Sequence, residues 1–166
     1  MHTAQQTFVS QGNPLDLVEE LVNANDWPFD RFSDSELMVT MSGLWCPYSL
    51  CFVWQAESAA MFFSCHFDQR VPSAKRPQVN ELLVTANEKL WLGHFDLFAE
   101  EGSVVFRHTV PLRGLSRVSV EQLEDLVDTA VQECERFYPA LQLVLWGGYS
   151  VEQAISVALM DTLGEA

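Results

Sequence analysis

Apolar residues near the start of the chain repeat at the spacing of a helix. Asn13 suits the N-cap and Pro14 the first helical position, so a helix is predicted to begin here and to end near Asn25-Asp26. The apolar residues that recur every three or four positions, and so share one side of that helix, are Leu15, Val18, Leu21 and Val22. The polar, aperiodic residues 1–12 are predicted to form a flexible N-terminal segment.

From Glu36 to Phe67 the period of the apolar residues changes to two, which is typical of half-buried strands. One strand is predicted around Leu37, Val39 and Met41, and a hairpin with its turn at Ala56-Glu57 follows. The apolar residues on one face of the hairpin are Tyr48, Leu50, Phe52 and Trp54, with the cross-strand partners Ala59, Met61, Phe63 and Cys65.

The opposite face of this hairpin is also too apolar for full exposure. It carries Val53 and Phe62 among smaller and polar residues. An apolar strand face of this kind indicates partial cover or a subunit contact.

A second helix is predicted over residues 76–92, with Pro77 in its first turn and Gly93 ending it in a left-handed conformation. Its apolar stripe consists of Val79, Leu82, Leu83, Ala86 and Leu90. Asn87 lies on or beside the stripe. A buried amide must be hydrogen-bonded, so Asn87 is predicted to anchor a loop.

A second hairpin is predicted from residues 94–100 and 103–112, joined at Glu101-Gly102, because Gly supplies the positive φ that tight turns require. In this register Asp96 stands opposite Arg107 on the outer face. A salt bridge between Asp96 and Arg107 is therefore predicted.

The last third of the chain is predicted to be helical. Ser119 and Gln122 form a capping-box pattern, and Pro139 is predicted to kink or end the helix that follows. The apolar residues 140–146, Trp146 included, are predicted to be buried. A last helix is predicted from a second cap at Ser150 to Gly164.

These elements predict one α+β domain over residues 13–166, in the order α-β-β-β-α-β-β-α-α. Runs of strands separated by single helices indicate a mainly antiparallel sheet with helices packed on it. The length of 166 residues suits a single domain with a substantial core, and 48% hydrophobic residues suit a folded chain.

The charge balance narrows the classes of partner. Against 9 Lys and Arg stand 23 Asp and Glu, a net charge of -14, which repels nucleic acid and anionic lipid. No segment has the pattern of a membrane span or a signal peptide, so we expect a cytoplasmic protein with neither nucleic acid nor membrane as partner.

The cysteines and histidines do not have the pattern of a metal site. Cys46 and Cys51 differ in strand parity, as do Cys65 and His66, so each pair points to opposite faces. We expect reduced thiols, no bound metal and no cofactor.

The hairpin of residues 94–112 contains a possible catalytic pattern. His94 and Asp96 share a strand face and could act as a general-base pair, but no nucleophile motif accompanies them. The chain is therefore predicted not to be an enzyme. The alternative is an enzyme or small-ligand sensor with an anion pocket near His94, Asp96, Arg107 and His108.

Exposed aromatic residues are the candidates for binding. Trp27, Trp45 and Trp91 lie beside loops or helix ends, whereas Trp54 and Trp146 fit the inner stripes. With the strand-face residues Val53 and Phe62, these three tryptophans are the predicted partner-binding residues.

Several short motifs resemble those of the bacterial YbjN family of sensory-transduction regulators. The stretch over residues 87–95, with Asn87, Leu90, Trp91, Gly93, His94 and Phe95, is the most specific of them. The others are Asn25-Asp26-Trp27-Pro28-Phe29, Trp45-Cys46-Pro47-Tyr48 and Phe106-Arg107-His108.

The resemblance implies a fold like that of the type III secretion chaperones. Those chaperones are small acidic homodimers that hold a segment of a partner against apolar patches. The resemblance thus implies a non-enzymatic, regulatory or chaperone-like protein-binding module that forms a homodimer, and it supplies no catalytic residues. A third possibility is a structural subunit of a larger assembly.

Overall fold

Four helices and a six-stranded sheet make up the protein in a computed structural model that describes residues 12–115 and 117–163, with side chains up to residue 158. The helices are α1 (Pro14–Ala24), α2 (Arg76–Asn87), α3 (Val120–Leu145) and α4 (Val151–Leu163), with a short 3-10 helix at Ser73–Lys75. The strands are β1 (Phe29–Ser33), β2 (Glu36–Ser42), β3 (Pro47–Gln55), β4 (Ala60–Arg70), β5 (His94–Phe98) and β6 (Ser103–Pro111). The predicted α+β class is confirmed.

The sheet is antiparallel throughout, in the order β1-β2-β3-β4-β6-β5, and has one apolar face. Aligned rows of side chains, such as Val39, Leu50, Cys65 and Phe106, run across this inner face and are almost fully buried. They form one hydrophobic cluster with the buried sides of the helices. Burying this cluster is the main driving force for folding.

The chain has one strand more than the sequence predicted, because β1 precedes the three expected before α2. It has two inward positions, of which Phe29 packs against the core and Arg31 is charged, so the alternating apolar pattern of a strand was not visible. The guanidinium of Arg31 donates to Glu19 at 2.7 Å and to Asp16 at 3.1 Å, both on α1. These ion pairs attach α1 to the sheet edge.

The predicted helix caps are present. The side chain of Asn13 accepts from the amide of Leu15, and Ser119 and Gln122 form both hydrogen bonds of a capping box. Ser150 and Gln153 make the same reciprocal contact before α4.

The sequence predicts that Pro139 kinks or ends its helix. The helix does not end there, because α3 is a single helix from Val120 to Leu145. A proline inside a helix costs about 3 kcal/mol. Here the turns on both sides of it bury Phe137, Leu141 and Val144 in the core. Each large buried side chain contributes about 1.5–3 kcal/mol, which offsets that cost.

Asn87 ends α2, five residues before the predicted end, and ties it to β5. Its side-chain amide donates to the carbonyl of Phe95 at 3.0 Å and its carbonyl accepts the Phe95 amide at 2.7 Å. Gly93, between them, has φ +70°, and a Cβ there would overlap the ring of Phe106. The predicted anchoring role of Asn87 is confirmed.

Both hairpin registers differ from the prediction. In the first, residues 56–59 all lie in the turn, so Ala59 pairs with nothing in the ladder and Trp54 faces Met61. In the second, the longer turn shifts the register by two residues, so that Asp96 faces Val105. The Asp96–Arg107 ion pair forms diagonally, at 3.1 Å.

Two sequence predictions fall outside the described part of the chain. These are the flexible segment, of which only Gly12 is described, and the end of the last helix at Gly164.

Replacement of Asn87 tests the link between α2 and β5. Asn87→Ala removes both hydrogen bonds to Phe95 and leaves the backbone amide and carbonyl of Phe95 without the Asn87 side chain as partner. We therefore expect the free energy of unfolding to fall by about 2 kcal/mol. Urea denaturation measures the change. Asn80→Ala, at an exposed position of the same helix, is the control, and an equal loss in both variants would contradict the anchoring role.

Candidate functional site

An exposed aromatic surface lies where the loop of residues 43–46 meets α3. The indole of Trp45 stacks on the ring of Tyr138, with centroids 6.5 Å apart and planes 9° apart. Trp45 is 51% exposed and the neighbouring Leu44 is 77% exposed. We call Leu44, Trp45 and Tyr138 the aromatic shelf.

The loop that carries the shelf is fixed to α3 by one carboxylate. Oε1 of Glu135 accepts the amide of Leu44 at 2.6 Å, and the amide of Gly43 donates to the carbonyl of Cys46 at 3.0 Å. A Cβ at Gly43 would overlap both the ring of Tyr48 and the carboxylate of Glu135. Only glycine allows this close approach, so the aromatic shelf is held in place before any partner binds.

Polar groups are buried beneath the loop. The hydroxyl of Tyr48 and Oε2 of Glu135 are buried without a hydrogen-bond partner within the described residues. Burial, followed by the charge of Glu135, raises the pKa of Tyr48. Burial likewise raises the pKa of the Cys46 thiol. The phenol of Tyr48 and the thiol of Cys46 are therefore neutral at physiological pH, and a thiol without thiolate character is a poor nucleophile.

The remaining cysteines are also free thiols. The sulfurs of Cys65 and Cys134 lie 3.5 Å apart in the core, and burial raises the pKa of Cys134 well above its ordinary value. Within residues 12–115 and 117–163, no group of three or more His, Cys, Asp or Glu side chains is arranged to bind a metal ion.

The face of the sheet opposite the core is a second candidate surface, which we call the open face. Val53 and Phe62 are direct cross-strand partners on it; Val53 is 38% exposed and Phe62 is half-buried. Next to them, the hydroxyl of Ser64 lies 2.9 Å from Nε2 of His66. Trp45 lies at the other end of β3 and does not belong to this face.

The residues of the predicted anion pocket do not converge on one point. His94 and Arg107 are cross-strand partners on the open face, where Arg107 pairs with Asp96 and lies 5.4 Å from the centre of the Phe98 ring. His108 faces Phe63 and therefore points to the inner side of the sheet. The cation of Arg107 is already engaged by a carboxylate and an aromatic ring.

The five predicted binding residues lie on separate surfaces. Only Val53 and Phe62 are adjacent. Trp91 is 72% exposed in the turn after α2, and Trp27 packs against the core after α1. Trp146, predicted to be buried, is 63% exposed because α3 ends one residue before it.

Two residues of the aromatic shelf were not predicted. Leu44 lies in a loop without periodicity, and Tyr138 is hidden within a long amphipathic helix. The sequence contains no signal that connects Tyr138 to Trp45, because the contact between them is made across two separate elements.

The Ser64–His66 contact resembles half of a hydrolase site. Nucleophilic catalysis by Ser also requires a group that orients His and donors that stabilise the oxyanion. The pair lies on an open sheet face, and burial lowers the pKa of His66. As it stands, the pair is a hydrogen bond that links neighbouring positions of β4.

A six-stranded antiparallel sheet with one face packed against helices, and with exposed aromatic and apolar residues, defines a small α+β domain. The sequence profile of the YbjN family, described as "Putative bacterial sensory transduction regulator", matches residues 14–143. The chain therefore belongs to the YbjN family. The likeness to type III secretion chaperones stays a prediction.

The fold agrees with that of a solved structure. YbjN from E. coli, described as "a putative transcription regulator", superposes with a TM-score of 0.53 at 12% sequence identity, covering 74% of this chain and 87% of the other. The comparison with curated proteins gives no match. No helix of the described residues is long and apolar enough to cross a bilayer.

The buried imidazole on the open face predicts a pH dependence of stability. Because burial lowers the pKa of His66 in the folded state, the unfolded chain takes up a proton first as the pH falls below about 6.5. The free energy of unfolding should therefore decrease between about pH 6.5 and 5. In His66→Gln the free energy of unfolding should decrease less steeply as the pH falls. The difference between the two slopes corresponds to at most about one bound proton per molecule.

Urea denaturation of both proteins at several pH values measures the effect. The pKa of His108 is lowered in the same direction by burial, so a residual slope is expected in the variant. Above pH 7 the two slopes should coincide. An unchanged slope below pH 6.5 would contradict the burial of a neutral His66.

Proposed function

We propose that the chain is a non-enzymatic regulatory module of the bacterial cytoplasm that binds a protein partner through the aromatic shelf. The observation that carries this proposal is the half-exposed Trp45, held by stacking on Tyr138 and by the contact of its loop with Glu135. The family description as a regulator supports it.

The aromatic shelf has the properties of a binding hot spot. Trp and Tyr dominate the energy of protein interfaces, and Leu44 extends their apolar surface. Glu135 and Gly43 fix the loop in advance. A preorganised loop loses little conformational freedom on binding, which favours affinity.

The chemistry of the site supports binding over catalysis. Of the four thiols, those of Cys46, Cys51 and Cys134 have pKa values raised by burial. The residues of the alternative anion pocket lie on two faces of the sheet. The ligand-sensor reading with a pocket at His94, Asp96, Arg107 and His108 is therefore the weaker candidate.

The open face is the proposed homodimer contact. Val53 and Phe62 place an apolar pair on two inner strands of the sheet, on the face opposite the hydrophobic cluster. Burying this pair against a second copy would remove apolar surface from water. A dimer formed through the open face leaves the aromatic shelf of each copy available to the protein partner.

Loss of the indole should abolish partner binding. The tagged chain and its Trp45→Ala variant are used to capture proteins from the native cytoplasm, and we expect the specific partner to be reduced at least tenfold in the variant, since hot-spot truncation costs 2 kcal/mol or more. Trp91→Ala removes a more exposed indole on a different surface and should retain the partner. Equal capture by both variants would contradict the role of the aromatic shelf.

A charge on the open face should dissociate the dimer. Light scattering after size exclusion should give a dimer for the parent chain at micromolar concentration and a monomer for Val53→Asp, because a buried unpaired carboxylate is costly. Val84→Asp, at an exposed position of α2, should remain dimeric. A monomeric parent chain would refute the dimer alone and leave the partner contact open.

A further inference from the structure

A small apolar cavity lies between α2, α3 and α4, away from both proposed contact surfaces. Its volume is about 70 Å³. The rings of Phe95 and Phe137, stacked with centroids 4.3 Å apart, line it, and Ile155 of α4 contributes to its wall. α4 lies beyond the region that the family profile matches, so this wall is not part of the matched domain.

The mouth of the cavity carries positive charge in a strongly acidic protein. Lys89 and Arg136, two of only nine basic residues, line it together with one acidic residue, Glu133. Arg136 is held 3.3 Å from Glu133. Lys89 is exposed and makes no ion pair within the described residues, so its ammonium group can meet an anion.

We infer that this cavity binds a short aliphatic carboxylate, with its chain between the helices and its carboxylate at Lys89 and Arg136. An apolar wall selects a hydrocarbon chain, and the cationic mouth selects an acidic head group over a neutral or basic one. The inference goes beyond the proposed function and does not depend on it, because the cavity and the aromatic shelf share no residue.

The size of the cavity sets the length of the chain. One water molecule, or one heavy atom of similar size, requires roughly 10–15 Å³ of the cavity volume given above. The cavity therefore has room for about five heavy atoms. Hexanoate, with five carbons beyond its carboxylate, matches this length. Affinity should rise about fourfold per methylene from butanoate to hexanoate and then level off at octanoate.

Calorimetric titration of the full chain with hexanoate tests the site. Lys89→Gln should weaken hexanoate binding about tenfold, as expected for loss of a charge-assisted contact, and should leave hexan-1-ol binding unchanged. Lys75→Gln replaces the other lysine of the chain, outside the cavity, and should bind hexanoate like the parent.

Filling the cavity separates this site from non-specific binding. Ala140→Leu places a larger side chain in the cavity and should abolish binding of both hexanoate and hexan-1-ol. Ala86→Leu fills the cavity from α2 and provides the same test if Ala140→Leu does not fold. Val84→Leu, 64% exposed on the same helix, is the control.

Thermal unfolding confirms that each variant is folded before titration. The inference is overturned if the parent chain shows no saturable hexanoate binding. It is also overturned if binding survives a folded cavity-filling variant, or if Lys89→Gln weakens the acid and the alcohol equally. None of these results bears on the partner contact at Trp45.

Discussion

The structure depends on a sheet that buries only one of its faces. A continuous apolar face packs against the helices and forms one hydrophobic cluster, which supplies the burial that a chain of this size needs to fold. Most side chains of the other face and of the loop of residues 43–46 are half-buried or exposed. The exposed apolar residues of those regions are therefore available for contacts with other molecules.

Glu135 connects this core to the aromatic shelf. Its carboxylate comes from the helix that buries Phe137 and Leu141, and it accepts the backbone of the loop that presents Trp45. The position of the indole is thus set by the packing of α3. The ring of Pro139 leaves the carbonyl of Glu135 without its usual helical donor, yet the buried residues on either side keep the helix continuous.

Much of the fold followed from the sequence because caps, turns and apolar periodicity agree with the tertiary structure. The Ser119–Gln122 box and the anchoring role of Asn87 are local features that a sequence shows directly. β1 was missed because one of its two inward residues is Arg31, a charged residue whose partners are carboxylates of α1. Both hairpin registers were shifted because the sequence did not reveal the longer turns.

The candidate site was less predictable than the fold. The position of Trp45 beside a loop predicted its exposure, which the structure shows. Its stacking partner Tyr138 is distant in sequence and is identified only by the packing of α3 on the loop. The cavity below α4 likewise requires three helices to be placed together. Periodicity assigns each residue to a face of its own element and carries no information on which faces of different elements meet.

The most direct measurement of the central claim is photocrosslinking in the native cell with benzoylphenylalanine at position 44, which leaves Trp45 in place. We expect one discrete covalent adduct with a second protein from this position. The same probe at Val84, also exposed but remote from the aromatic shelf, should give none. The absence of an adduct at position 44, or the same products from both positions, would contradict the account.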